Sequence, residues 1–103
     1  MNSFESILVD SARNGLKKLL GDSPAAAVHY YCNPLILAED PHQYEKELEK
    51  MFGIGANTIG EAVLKELHTQ LGLRRLKKMR KSFADEILEA RKEYHSKNNK
   101  LAF

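Results

Sequence analysis

The sequence predicts an all-α fold: a bundle of about four helices followed by a long basic C-terminal helix. Three observations point there. Apolar residues recur at helical spacing in four segments. Cap-like starts and glycine stops bound those segments, including Asp40-Pro41, Gly53 and Gly72. Hydrophobic residues make up 43% of 103, enough for one domain with one modest core.

The first segment starts at Asn2 or Ser3, either of which can cap a helix, and runs to Gly21. Phe4, Ile7, Leu8, Ala12, Leu16, Leu19 and Leu20 keep one face apolar, while Arg13, Lys17 and Lys18 lie on the other side. Gly15 is a weak point of this helix or a point of close contact. A second helix begins at Asp22-Ser23-Pro24, because proline suits the first turn. It carries Ala25, Ala26, Ala27, Val28, Tyr30 and Tyr31, and the alanines allow a neighbour to pack closely. It ends near Asn33, since Pro34 disfavours helical geometry in the residue before it. Leu35-Ile36-Leu37 reads as a buried connector.

The stretch Asp40 to Leu73 organises the rest. Asp40 caps a helix, Pro41 occupies its first position, and Gln43 stands at capping-box spacing. Tyr44, Leu48, Met51 and Phe52 share one face. Gly53 is the left-handed cap, and Gly55 belongs to the corner or the next first turn. Ile59, Val63, Leu67 and Leu71 then mark a second helix that Gly72 ends. An interior glycine costs about 1 kcal/mol against alanine, so Gly60 implies close approach by another helix. The Phe52–Ala56 corner reads as structural. The competing reading is an anion site on free helix amides. No G-x-x-x-x-G-K-[ST] pattern supports a nucleotide.

From Leu73 to about Lys97 the sequence predicts the longest helix. Leu76, Phe83 and Ala90 form one heptad row, and Leu73, Arg80, Ile87 and Tyr94 form another that Arg80 interrupts. An apolar row on a protruding helix would stay wet, so Leu76, Phe83, Ile87, Ala90 and Tyr94 are the expected self-association face, most simply of a dimer. The same helix opens with Arg74, Arg75, Lys77, Lys78, Arg80 and Lys81. Residues 1–72 carry 6 Lys+Arg and 10 Asp+Glu, a balance of −4, whereas residues 73–103 carry 10 and 4, a balance of +6. The chain thus divides into a body, residues 1–73, and a basic C-terminal helix, residues 74–103.

Such a basic run suits phosphates, with salt-dependent binding, or an acidic protein surface. The Asp40–Leu73 pair is not a standard helix-turn-helix: its second helix offers Glu61 and Glu66 where base reading wants Arg, Asn or Gln. Any nucleic-acid contact would therefore be to the backbone.

Nothing points to an enzyme. No H-E-x-x-H, G-x-S-x-G or C-x-x-C pattern occurs. His29 and Cys32 are three apart, but one thiol without a second ligand pair does not make a zinc site. No cofactor or metal is expected, and no catalytic residue is assigned. His68 reads as a solvent-facing or seam residue, and Glu45 and Glu49 as a wet helix face. The lone Cys32 reads as a small buried hydrophobe and fits a reducing compartment. No apolar run is long enough to span a membrane, and the early acids do not form a secretory signal, so the expected location is cytoplasmic.

Residues from about Phe4 to Leu73 resemble the small archaeal Nitrosopumilus output domain (type five). The resemblance rests on LGDSPAAAVHYY, DPHQYEKELEKMFGIGA and AVLKELHTQLGL, with the F-G-x-G-A corner its most specific part. It implies a non-enzymatic helical output or interaction module of archaeal signalling proteins. It also implies that Asp40, Pro41, Phe52, Gly53, Gly55 and Ala56 define the fold. The basic helix lies outside it. The leading expectation is therefore a self-associating interaction module, and the alternative is a small nucleic-acid-binding protein resembling a transcription regulator.

Overall fold

Ser3 opens the first helix: its hydroxyl accepts the N–H of Ser6 at 3.1 Å. The computed structural model describes residues 3–72 and 81–101. Among them are six α-helices and one 3-10 turn, with no strand. They are α1 (Phe4–Leu20), α2 (Asp22–Tyr31), α3 (Pro34–Glu39), α4 (Pro41–Phe52), the 3-10 turn (Gly53–Gly55), α5 (Ala56–Leu71) and α6 (Phe83–Leu101). The all-α bundle with a long last helix is as the periodicity requires.

The local signals act mostly as read. The Asp40 carboxylate accepts the N–H of Gln43 at 3.2 Å and starts α4. The Gln43 side chain does not return to close a capping box; its amide donates to Glu47 at 2.8 Å. Gly53 ends α4 at φ +57°, ψ −128°, not in the left-handed α region expected of it but in one equally closed to residues with a Cβ. Other details differ. Gly21, not Asp22 or Ser23, flanks the start of α2, and no side chain caps it. Leu35–Leu37 is helical rather than a connector: the Asn33 carbonyl oxygen of the side chain accepts the N–H of Leu35 at 2.9 Å, and Pro34 follows at the first position.

The core centres on α5. Its Ile59, Val63, Leu64 and Leu67 are buried against Phe4, Leu8, Ala12 and Leu16 of α1 and Tyr44 and Leu48 of α4. Gly15 lets α1 touch α5: a Cβ there would lie 2.9 Å from the backbone oxygen of Ala62. Gly60 does the same toward α6, where a Cβ would meet the Phe83 ring at 2.9 Å. α3 bridges α1 and α4, while α2 packs chiefly on α1 and is the outermost helix.

The C-terminal helix departs most from expectation. It begins at Phe83, not Leu73. The Ser82 hydroxyl accepts the N–H of Asp85 at 3.3 Å, and the Ser82 carbonyl accepts that of Glu86 at 3.0 Å. Ser82, with acids at the third and fourth positions beyond it, is a capping signal that the continuous apolar period hides. Nor does the helix continue away from the body. It folds back onto α4 and α5.

Candidate interaction surfaces

The proposed self-association face is spent inside the chain. Phe83, Ile87 and Ala90 are buried in the core, and Tyr94 is half-buried against Phe4 with ring centroids 5.7 Å apart. These residues form an intramolecular seam, because α6 covers its own apolar row with α4 and α5. Leu76 lies outside the described residues, as do Arg74, Arg75, Lys77, Lys78 and Arg80. Lys81 is described. Its ammonium is paired with Glu89, whose hydrogen bond and charge raise the lysine pKa while the lysine lowers that of Glu89.

The seam has polar ends. The Glu45 carboxylate accepts the buried Ala84 N–H at 2.9 Å. His42 Nε2 stands 3.8 Å from Asp85, and Arg91 reaches Glu5 of α1 at 3.4 Å. Glu45, read as one of many wet carboxylates, is therefore a cap for another helix. No local pattern marks it, since its role exists only once α6 is docked.

Asp40, Pro41, Phe52, Gly53, Gly55 and Ala56 build the start of α4 and the corner into α5. At its tip Ile54 is 95% exposed.

The buried titratable groups are poor at chemistry. Burial, reinforced by the Glu47 charge, pushes the Cys32 thiol up to about 11, so it is protonated at neutral pH. Burial and then Cys32 raise the Tyr44 phenol, whose hydroxyl finds no hydrogen-bond partner among the described residues. Burial and then the Arg13 charge lower the His29 imidazole. His68 is half-buried, and its Nδ1 lies 2.8 Å from the Leu64 carbonyl of its own helix. Among the described residues no group of three His, Cys, Asp or Glu is placed to hold a metal. No described helix is long and apolar enough to cross a membrane.

What the surface does present is apolar and lies at α2 and α3. Tyr30 is 82% exposed, Tyr31 69% and Leu35 54%. The two tyrosine rings meet edge to face, 5.1 Å apart. Leu35 also lines a groove of about 400 Å³ between α1 and α3, together with Val9, Arg13 and Ala38. Read for its alanines, α2 promised only an inward face. The missed signal is that the outward positions Ala26, Ala27, Tyr30 and Tyr31 are apolar as well as the inward ones, which in a short outer helix leaves one side without a neighbour.

No family model, curated protein or solved structure matches this chain.

Proposed function

We propose that this chain is a non-enzymatic helical interaction module that binds a protein partner through the outer face of α2 and the adjoining α3. The observation that carries this is the exposed group Tyr30, Tyr31 and Leu35. Isolated apolar side chains on a surface need no explanation, but aromatic residues grouped on one corner mark contact sites. An archaeal output role in the cytoplasm follows from the resemblance of the Phe52–Ala56 corner and its flanking helices. A photo-crosslinking residue at position 30 or 35, expressed in the native host, tests the reading. A discrete protein adduct at these positions, and none from the same residue at Lys46, is the expected result.

A second reading is favoured by charge. Residues 73–82 hold six Lys and Arg and no acid. The run suits nucleic-acid phosphates or an acidic partner surface. Titration of labelled duplex DNA at low and moderate salt tests it. Binding that falls steeply with salt, and that is lost when Arg74, Arg75, Lys77 and Lys78 become alanine, supports a phosphate clamp. Unchanged affinity in that variant removes it.

A further inference from the structure

We infer that α2 is an acid-opened flap: a proton taken up by His29 melts α2 off α1 and uncovers the single thiol of the chain, Cys32.

The helix is lightly held. Its 10 residues are fewer than a helix needs to persist alone in water. No side chain caps its start, and its inward anchors are Ala25 and Val28, with Cys32 as its C-terminal cap. The ion pair between Lys17 and Asp22 ties its first turn to α1 at 3.6 Å, but both side chains are mostly exposed, so it adds little. Gly21 at φ +92° gives the chain a joint between α1 and α2. Pro34, buried at the start of α3, fixes the far end. Residues 22–33 can therefore loosen as a loop while α1 and α3 stay seated.

His29 stands where a proton is poorly received. Its ring is half-buried, and Nδ1 is buried with no hydrogen-bond partner among the described residues. In the imidazolium both ring nitrogens are donors, so Nδ1 becomes a buried N–H without an acceptor. The charged groups that act on α2 from its neighbours are Arg13 and Lys17 of α1 and Glu47 of α4, with Asp22 on α2 itself. Lys17 and Asp22 satisfy each other, and Glu47 is held by Gln43 and Lys50. Arg13 acts on the imidazole, and its charge opposes the proton. Opening puts the ring in water and away from Arg13, so the open form binds the proton more tightly.

Cys32 reports the state of the flap. It is wholly buried, and its Sγ lies 3.8 Å from the Tyr44 carbonyl of α4. With α2 seated, a reagent cannot reach the sulfur. When α2 melts, the bond from the Cys32 N–H to the Val28 carbonyl breaks and the thiol comes clear. Tyr30 and Tyr31 belong to the same helix, so acid also dismantles the partner surface proposed above. The flap itself does not depend on that surface. An unperturbed imidazole titrates at about 6.5, so a change from about pH 7.5 to about pH 5.5 favours the open form by at most about tenfold.

Reaction of the full chain with dithiodipyridine, an aromatic disulfide that stays reactive in acid, measures the opening. The rate at each pH is divided by that of the chain unfolded in urea at the same pH. The protection of Cys32 is expected to fall on the order of three- to tenfold between about pH 7.5 and about pH 5.5. The fall disappears in His29→Gln and shrinks in Arg13→Gln. Position 13 is exposed, so the second variant decides the matter if the first does not fold. Low urea leaves the rate nearly unchanged, because melting one short helix exposes far less surface than unfolding the chain. Equal protection at the two pH values, a fall that the folded variants keep in full, or a rate that climbs with urea as steeply as global unfolding overturns the flap. These measurements need no partner, so their outcome is separate from that of the photo-crosslinking at position 30.

Discussion

The Glu45 carboxylate on α4 accepts the backbone N–H of Ala84 at 2.9 Å, so α4 caps α6 across a sequence separation of 39 residues. Ala84 is fully buried, so removing the carboxylate takes away the acceptor of a largely desolvated N–H. Glu45→Ala should therefore cost about 2 kcal/mol in urea unfolding, within the range for a stranded buried donor. Glu45→Gln keeps an acceptor without the charge and should cost about half as much. Ser82→Ala, which removes the side-chain cap of the same helix, should cost about 1 kcal/mol.

Gly15 and Gly60 should respond differently to alanine, although the added Cβ would sit 2.9 Å from its nearest obstacle at both. At Gly60 the obstacle is a side chain, the buried Phe83 ring, which must shift to make room. Overpacking costs about 1–3 kcal/mol, and the helix gains about 1 kcal/mol from alanine, so the net change there should be small. At Gly15 the obstacle is the main chain of Ala62, and a whole helix must shift. A net loss of about 2 kcal/mol is expected. Thermal melts of the two variants, side by side, check the order.

Tyr44→Phe should be neutral or stabilising by up to about 1 kcal/mol. The hydroxyl is buried and without a partner among the described residues, so deleting it removes a desolvation cost and leaves the ring against Phe83. A clear loss of stability in urea unfolding would mean that the hydroxyl does have a partner.

His29 should make the fold acid-sensitive in a defined window. Burial and then Arg13 lower its pKa in the folded chain, so the unfolded chain takes up the proton first. Stability is complete above the unfolded value, about 6.5, and declines as pH falls from there toward the lower folded value. Urea midpoints at about pH 7.5 and 5.5 should differ, and His29→Gln should reduce the difference.

These residues also show what could be read without coordinates. The ends of α4 and α5 were legible because Asp40, Gly53 and Gly72 act on amides within a turn of themselves. The apolar row Phe83, Ile87, Ala90 and Tyr94 was legible as a row but not as to its cover. An apolar stripe states that something packs on it, and a neighbour within the chain satisfies it as well as a second molecule does. Ser82 was overlooked because the period of Leu76, Phe83 and Ala90 runs straight past it. Glu45 could not have been found by pattern, since its acceptor role depends on where a distant helix starts. Tyr30 and Tyr31 were recognised as helical, but their side of the helix follows from which residues α1 covers.

The two glycine contacts lie close together on α5: Gly15 of α1 rests on Ala62, and Phe83 of α6 rests on Gly60. One turn of helix thus carries the register of both neighbours. Each residue in a helix turns the chain by about 100°, so one inserted or deleted residue before that turn rotates both contacts out of place together. An insertion within that turn should accordingly displace α1 and α6 together, whereas one in a segment between helices should leave both contacts in register.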